Sequence, residues 1–454
     1  MMIKSINPAT EMLNKEFETL TFAQSLGACK SAKAAFPEWR DLNIDTRLGY
    51  LKKFAEVLRS RKQEYARLIT IEMGKPIKDS LVEIDRSADL CDLYVANAKG
   101  WLQDEAVRTE FHKSFVAFEP VGLVLEVMPW NFPFSQVMRC ALPSLALGNV
   151  TVLKHSNCVP MCALAIEDVF RSAGLPDNVF KTIITDHAAI PKLIRSRFVD
   201  AVSLTGSFDA GRDVAKVAAS SIKKCVLELG GSNPFVVLSD ADIALAGKKA
   251  VETRMSSNGQ SCSSSKRFIV VSEVAEEFTN KVVEATKALV VGDPLDPKTQ
   301  IGPLANPQQL QKLEEQVRDA MAKGAKLLYG GSRIGQKGCF YQPTVLTGIK
   351  KNMKVAKEEV FGPVIPIMAV RGESEAIKLA NNTDFGLGGS IWTRDVAKGE
   401  ALARRIEAGT VCVNRGANSD SRMPFGGIKK SGIGREYSRY GLIEFANIKS
   451  VIVS

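Results

Sequence analysis

The sequence is poor in histidine and has no pattern of paired cysteines. Only three histidines occur in 454 residues, His112, His155 and His187, and none forms an HExxH pair. A histidine-built zinc site is therefore not expected. The nine cysteines are odd in number and follow no regular spacing. Cys158 and Cys162 come nearest to a pair, but CxxxC on an expected helix is not a zinc knuckle. Reduced thiols in a cytoplasmic protein fit this usage. No apolar run reaches the roughly 18 residues of a membrane helix, and Met1–Thr10 lacks the basic-then-apolar build of a secretory leader. Also missing are GxGxxG, GxxxxGK[ST] and GxSxG, the signatures of the common dinucleotide, nucleotide and hydrolase turns.

Charge is present but not concentrated. Sixty Lys and Arg against 50 Asp and Glu leave a net +10. The basic residues come as doublets diluted by acids, such as Lys223-Lys224 and Lys429-Lys430, and no like-charge block forms a tail. A nucleic-acid partner would need a basic stripe, so none is expected; small anionic ligands suit the same excess. A hydrophobic content of 45% with 24% charged residues excludes global disorder and supports large cores.

The first hundred residues read as helical. Leu48, Leu51, Ala55 and Leu58 form a buried stripe with Asp45 or Thr46 as N-cap, and Pro76 opens a helix running to about Ala98. From Val121 the pattern alternates. Strands are expected at Val121–Met128, Val150–Lys154, Phe180–Ile184, Ala201–Leu204 and Cys225–Leu229, with helices between them. A second series follows: Pro234–Leu238, helix Ile243–Ser257, Phe268–Val271, helix Val274–Val290, helix Pro307–Ala322, strand Val364–Val370, helix Glu373–Asn381 and strand Thr410–Asn414. This alternation predicts an α/β protein with two doubly wound domains. The expected limits are 1–100 and 120–229 for one domain and 230–441 for the other. Segments 101–119 and 442–454 read as a small β hairpin and tail whose exposed edges invite pairing between subunits.

Three residues stand out chemically. Cys262 lies among Ser, Asn, Gly and Gln in Ser256–Ser265, a setting for a reactive thiol as well as for a harmless one. Glu228 ends the strand Cys225–Leu229 between two leucines. There a partly desolvated carboxylate would have a raised pKa and act as a base, unless it points outward. Asn131, in Pro129-Trp-Asn-Phe-Pro133, is a stiffly held amide donor suited to an oxyanion. The turn Leu204–Gly211 follows a strand and opens a helix, where a phosphate can bind.

Six motifs occurring in order resemble those of aldehyde dehydrogenases: Val127-Met-Pro-Trp-Asn-Phe-Pro-Phe134, Thr205-Gly-Ser-Phe-Asp-Ala-Gly211, Leu227-Glu-Leu-Gly-Gly-Ser-Asn-Pro234, Asn258-Gly-Gln-Ser-Cys262, Glu358-Glu-Val-Phe-Gly-Pro363 and Pro424-Phe-Gly-Gly-Ile-Lys429. The resemblance covers essentially the whole chain. It implies that Cys262 is the nucleophile, that Asn131 stabilises the oxyanion, and that Glu228 activates the water that hydrolyses a thioester. Family members that pass the acyl group to coenzyme A lack that glutamate. The resemblance also implies a cofactor site made of Trp130, Lys154, Ser156, Asn157, Gly206, Ser207, Gly211, Glu359 and Phe361. Asn157 stands where NAD-preferring relatives often carry a glutamate, so NADP use at least comparable with NAD is expected.

Within the family, the runs around Phe118–Gly122, Met128–Arg139, Leu153–His155 and Lys223–Ser232 look most like bacterial succinate-semialdehyde dehydrogenases. Arg139 matches the arginine on the substrate's far carboxylate in that subgroup, and Ser419 matches its hydroxyl partner. Glutarate semialdehyde or a general aliphatic aldehyde is the alternative substrate. A homodimer or homotetramer is implied. Ser264 and Gln260 flank the thiol where some relatives carry a second cysteine, so no local disulfide switch is expected. A non-enzymatic relative would be free to lose Cys262, Glu228 and Asn131, and all three are present. A cysteine hydrolase would need a histidine partner, and the sequence gives neither His112 nor His187 a reason to approach Cys262.

Overall fold

A computed structural model describes residues 2–417 and 419–454. The chain forms two doubly wound α/β units and a small β appendage. Across the first sheet the strands run Gly432–Ile433, Lys224–Glu228, Ala201–Thr205, Leu123–Met128, Val150–His155 and Phe180–Thr182. All but the short Gly432–Ile433 strand are parallel. The second sheet runs Lys326–Tyr329, Thr344–Thr347, Val364–Val370, Ser265–Val271, Asn233–Val237, Gly388–Trp392 and Thr410–Val413. Only Lys326–Tyr329 is antiparallel in it. Parallel strands covered by helices on both faces are apolar along their whole length, as in Phe235–Val237 and Phe268–Val270.

The helical stripe is as expected: Leu48, Leu51, Ala55 and Leu58 are buried on Ile44–Ser60. Its N-cap is Asn43, whose side chain accepts from the Thr46 amide at 2.9 Å, and not Asp45 or Thr46. The helix after Pro76 spans Ile77–Trp101. Most expected boundaries shift by a residue or two, and three differences bear on the site. The helix beginning at Ile243 ends at Met255, because Ser257 and Asn258 adopt positive φ (51° and 59°) and turn the chain toward Cys262. The strand Ser265–Val271 begins three residues earlier than expected. Residues 432–433 lie in the first sheet, paired with Leu227 and Glu228, although the sequence reading assigns 230–441 to the second unit. The hairpin Met2–Ile6/Leu13–Glu18 was not expected; its strands bury only Ile3, Ser5 and Phe17.

The appendage is as the alternating run suggested. Lys113–Pro120 pairs antiparallel with Ala446–Val453 along its full length and with Glu105–Ala106 on its other side. The tail strand leaves Ile448, Ile452 and Val453 exposed.

Candidate active site

The carboxyl ends of the first sheet's parallel strands, the position at which open α/β sheets bind ligands, meet the loops that lead into the second sheet's strands Asn233–Val237, Ser265–Val271 and Val364–Val370. Among them is the loop bearing Cys262, and its backbone is held at nearly every residue. Asp79 accepts from Ser257 N at 2.8 Å. The Asn258 amide donates to the carbonyls of Gly74 and Pro303 and accepts from Gly302 N. The buried Arg254 guanidinium donates to the Gly259 carbonyl and to Ser264 Oγ. Gly259 is obligatory: its φ is +71°, and a Cβ would come 2.4 Å from the Gly362 carbonyl oxygen. Past the thiol, Asn233 Nδ2 and Lys266 Nζ both donate to the Cys262 carbonyl, at 2.9 and 2.7 Å.

Asn131 Nδ2 donates to the Gln260 carbonyl at 3.1 Å. That bond uses one amide hydrogen and leaves the second for a ligand beside Cys262. Asn131 is itself placed by the start of the following helix, Ser135–Leu147. There Glu83 accepts from the Phe134 and Ser135 amides (2.9 and 3.2 Å), while its other oxygen pairs with buried Lys75.

Two cavities meet at this loop. One is a cleft lined by Trp130, Asn131, Gly206, Ser207, Gly230, Cys262, Glu359 and Phe361. Trp130 and Phe361 meet edge to face at 5.7 Å. Glu359 is fixed by Gly231 N and Lys266 Nζ, both at 3.0 Å. Ser207 caps the helix Phe208–Ser220. Gly211, in that helix, lets it close on the strand, since a Cβ would meet the Leu229 side chain at 2.5 Å. At the carboxyl end of Val150–His155, the strand paired with Leu123–Met128, Lys154 Nζ donates to Asn157 Oδ1 at 3.0 Å and contacts His187 Nδ1 at 3.3 Å. Burial lowers the Lys154 pKa to about 8.

The second cavity, about 470 Å³, is a funnel from solvent lined by Phe132, Arg139, Ser261, Ser263, Ser419 and Tyr437, among others. Arg139 Nε donates to Tyr437 Oη at 3.0 Å and Nη1 to Glu436 Oε2 at 3.2 Å. Nη2 has no hydrogen-bond partner among the described residues. Burial opposes the charge on Arg139, but Tyr437 and Glu436, helped by Cys262 and Glu228, outweigh it and raise its pKa.

Glu228 is buried beneath these cavities, not outward on the strand, and neither carboxylate oxygen has a hydrogen-bond partner among the described residues. Burial, and then the nearby Glu436 carboxylate, push its pKa well above the ordinary range; Arg139 opposes this. The Cys262 thiol is raised to about 11, first by burial and also by Glu228, while Arg139 and Lys266 pull it down.

The structure thus brings Cys262, Asn131, Trp130, Gly206, Ser207, Glu359 and Phe361 to one cleft and Arg139 and Ser419 to the funnel. Lys154, Ser156 and Asn157 stand together at the carboxyl end of Val150–His155, outside the residues that line that cleft. Sequence reasoning missed Glu436, Tyr437, Lys266 and the Lys75–Glu83 pair. None of them sits in a local pattern of its own; Glu436 and Tyr437 follow the Pro424–Lys429 motif by only a few residues, and proximity to it was the one available signal.

A buried thiol beside a neutral amide donor, with a buried carboxyl of raised pKa nearby, is an arrangement suited to chemistry through a covalent thiol adduct. The chain belongs to the aldehyde dehydrogenase family, whose model matches residues 1–451. It is 45% identical over 454 residues, covering 100% of both chains, to a probable succinate-semialdehyde dehydrogenase [NADP(+)] of Synechocystis sp.. It is 42% identical over 450 residues, 98% of this chain and 97% of the relative, to a succinate semialdehyde dehydrogenase [NAD(P)+] of Escherichia coli. Among solved structures, succinic semialdehyde dehydrogenase from Streptococcus pyogenes in complex with NADP+ superposes with a TM-score of 0.97 at 34% identity, covering 99% of each chain.

Proposed function

We propose that this protein oxidises succinate semialdehyde to succinate with NADP+, and with NAD+ as a second cofactor. The observation that carries the substrate is the juxtaposition of the Arg139 guanidinium, its Nη2 without a partner among the described residues, and the Ser419 hydroxyl on a funnel wall that also holds Ser261 and Ser263, the neighbours of Cys262. An arginine with a free N–H fork end suits a carboxylate at the far end of a short aldehyde. The relatives' names point the same way.

In this reading the thiolate of Cys262 adds to the aldehyde carbon. The resulting oxyanion accepts from the second Asn131 amide hydrogen and from the Cys262 N–H. A bound nicotinamide dinucleotide supplies the hydride acceptor. Loss of the carbon-bound hydrogen leaves a thioester on Cys262. Ionised Glu228 then takes a proton from water, the water oxygen attacks the acyl carbon, and the thiolate leaves. The cleft residues suit the dinucleotide. Trp130, Glu359 and Phe361 would flank the nicotinamide end, and Gly206, Ser207 and the helix behind Gly211 the pyrophosphate. Lys154, Ser156 and Asn157 would take the adenosine ribose. Lys154 is the cation a 2′-phosphate needs, and Asn157 presents no carboxylate to repel it.

The 1–100/120–229 unit is read as cofactor-binding, 230–441 as catalytic, and 101–119 with 442–454 as the subunit contact. Exposed Ile448, Ile452 and Val453 on an unpaired strand edge support a homodimer or homotetramer. A cytoplasmic setting suits nine unpaired thiols. Among the described residues no helix is long and apolar enough to cross a membrane.

The test is an aldehyde panel run with NADP+ and NAD+, following the reduced nicotinamide by absorbance. A charge-assisted contact predicts kcat/KM about ten- to a hundredfold higher for succinate semialdehyde than for butanal. Equal values would remove the substrate assignment.

A further inference from the structure

His187 is the third member of the Lys154–Asn157 group, and nothing in the reaction above uses it. It opens a short 3-10 turn, His187–Ala189, capped by Asp186, whose carboxylate accepts from Ala188 N at 3.0 Å. Its ring is exposed to solvent, yet Nδ1 lies 3.3 Å from the Lys154 ammonium. An ammonium has only donors, so in the free protein Nδ1 is the acceptor and the proton sits on Nε2. The ring is neutral in this arrangement. Partial burial and then the Lys154 charge hold its pKa below the ordinary value, and Asp186 opposes them. The charged groups facing the ring are Lys154, from the end of Val150–His155, and Asp186, from its own turn; Cys158 and Asp186 in turn bear on Lys154.

Resting on the NADP reading above, we infer that His187 is a second, proton-dependent ligand of the cofactor's 2′-phosphate and makes the choice of NADP over NAD pH-dependent. Lys154 already donates to two neutral acceptors, Asn157 Oδ1 and His187 Nδ1. A dianionic phosphate on this ammonium competes with Nδ1 for its hydrogens and adds two negative charges beside the imidazole. Nδ1, released, takes one proton from solvent, and the imidazolium donates to the phosphate. Binding of the 2′-phosphate therefore takes up a proton, and its affinity falls as pH rises. NAD has no such phosphate and lacks the dependence.

The probes are adenosine 2′,5′-bisphosphate and AMP, titrated calorimetrically into the full-length protein in buffers of different ionisation enthalpy. The range pH 6.5–8.5 stays above the second ionisation of a phosphate monoester, near 6. At pH 7, where Lys154 is still mostly charged, the bisphosphate is expected to take up a sizeable fraction of one proton and AMP almost none. His187→Gln should abolish that uptake and flatten the affinity between pH 6.5 and 7.5. Only the decline above pH 8 would remain, from Lys154. The exposed position on a capped turn makes the substitution structurally mild, and His187→Asn checks it. Unchanged uptake in both variants, with bisphosphate still preferred over AMP, overturns the role of His187 alone. Equal affinity for the two ligands at every pH overturns the 2′-phosphate site itself, and with it the NADP reading. Neither outcome depends on aldehyde oxidation.

Discussion

Arg139 and Glu436, 297 residues apart in the chain, form a buried ion pair at 3.2 Å in the wall of the funnel. Tyr437 completes the clamp through Nε, and the Arg139 guanidinium lies 5.0 Å from the Phe425 ring and 5.2 Å from the Tyr437 ring. The arginine is therefore immobile before any substrate arrives. It also bears on the thiol and on the base, because Cys262 and Glu228 both feel its charge.

That double role shapes the effect of Arg139→Met. A carboxylated aldehyde should lose about ten- to a hundredfold more in kcat/KM than a neutral one of the same length. The neutral aldehyde should also lose some activity, because the positive charge that favours the Cys262 thiolate has gone. Parallel kinetics on succinate semialdehyde and butanal separate the two losses, and equal losses would remove the carboxylate contact.

Glu228 must be ionised to act as a base, and burial together with Glu436 opposes that ionisation. Thioester hydrolysis should therefore speed up as pH rises through the raised pKa. Glu436→Gln removes the neighbouring carboxylate and frees the Arg139 charge, both of which favour ionised Glu228. The rising limb should move to lower pH, a shift that pre-steady-state hydrolysis of the acyl-enzyme would reveal.

The thiol of Cys262 sits at about 11 in the free protein, so only a small fraction is thiolate at neutral pH. Alkylation of Cys262 by iodoacetamide, followed by mass spectrometry, should accelerate about tenfold per pH unit between 7 and 9. Lys266→Met withdraws a cation that favours the thiolate and should slow the reaction at fixed pH.

Asn131→Ala removes the proposed side-chain oxyanion donor without touching the thiol. A loss of about 10²–10³ in kcat is expected, with dinucleotide affinity, measured by fluorescence quenching, changed little. A drop in affinity alone would assign Asn131 to cofactor binding.

Glu126, in the central strand Leu123–Met128, is fully buried with both oxygens unpartnered among the described residues. Burial raises its pKa well above the ordinary value. Its folded pKa exceeds the unfolded one, so the folded state holds the proton while the unfolded chain releases it. Stability is lost as pH rises from about 4.5 toward the folded pKa. Glu126→Gln should make Tm fall less between pH 6 and 9 than in the wild type, as calorimetry can measure.

Much of this was written locally. Pro307–Ala322 and Glu373–Asn381 are helices at the expected residues, since apolar spacing and capping residues are short-range signals. The central strands of both sheets were legible for the same reason, being continuous β-branched runs between turns, whereas Lys326–Tyr329, Thr344–Thr347, Gly388–Trp392 and Gly432–Ile433 were not read. The Cys262 loop was legible in composition but not in path: two non-glycine residues in the left-handed region follow from what holds them, Asp79 and Gly74 far upstream. The first hairpin was missed because its strands bury too little to leave a pattern.

The sequence by itself determined the family and singled out Cys262, Glu228 and Asn131 as the candidate nucleophile, base and oxyanion donor, because each lies in a compact motif whose neighbours suit the same chemistry. Only the tertiary structure decided how those groups are tuned. Glu436 raises Glu228, Arg139 is clamped before substrate binds, Lys266 steadies the thiol loop, and His187 stands against Lys154. Coulomb forces and desolvation act through space between segments that folding brings together, and no local spacing in the chain encodes those distances.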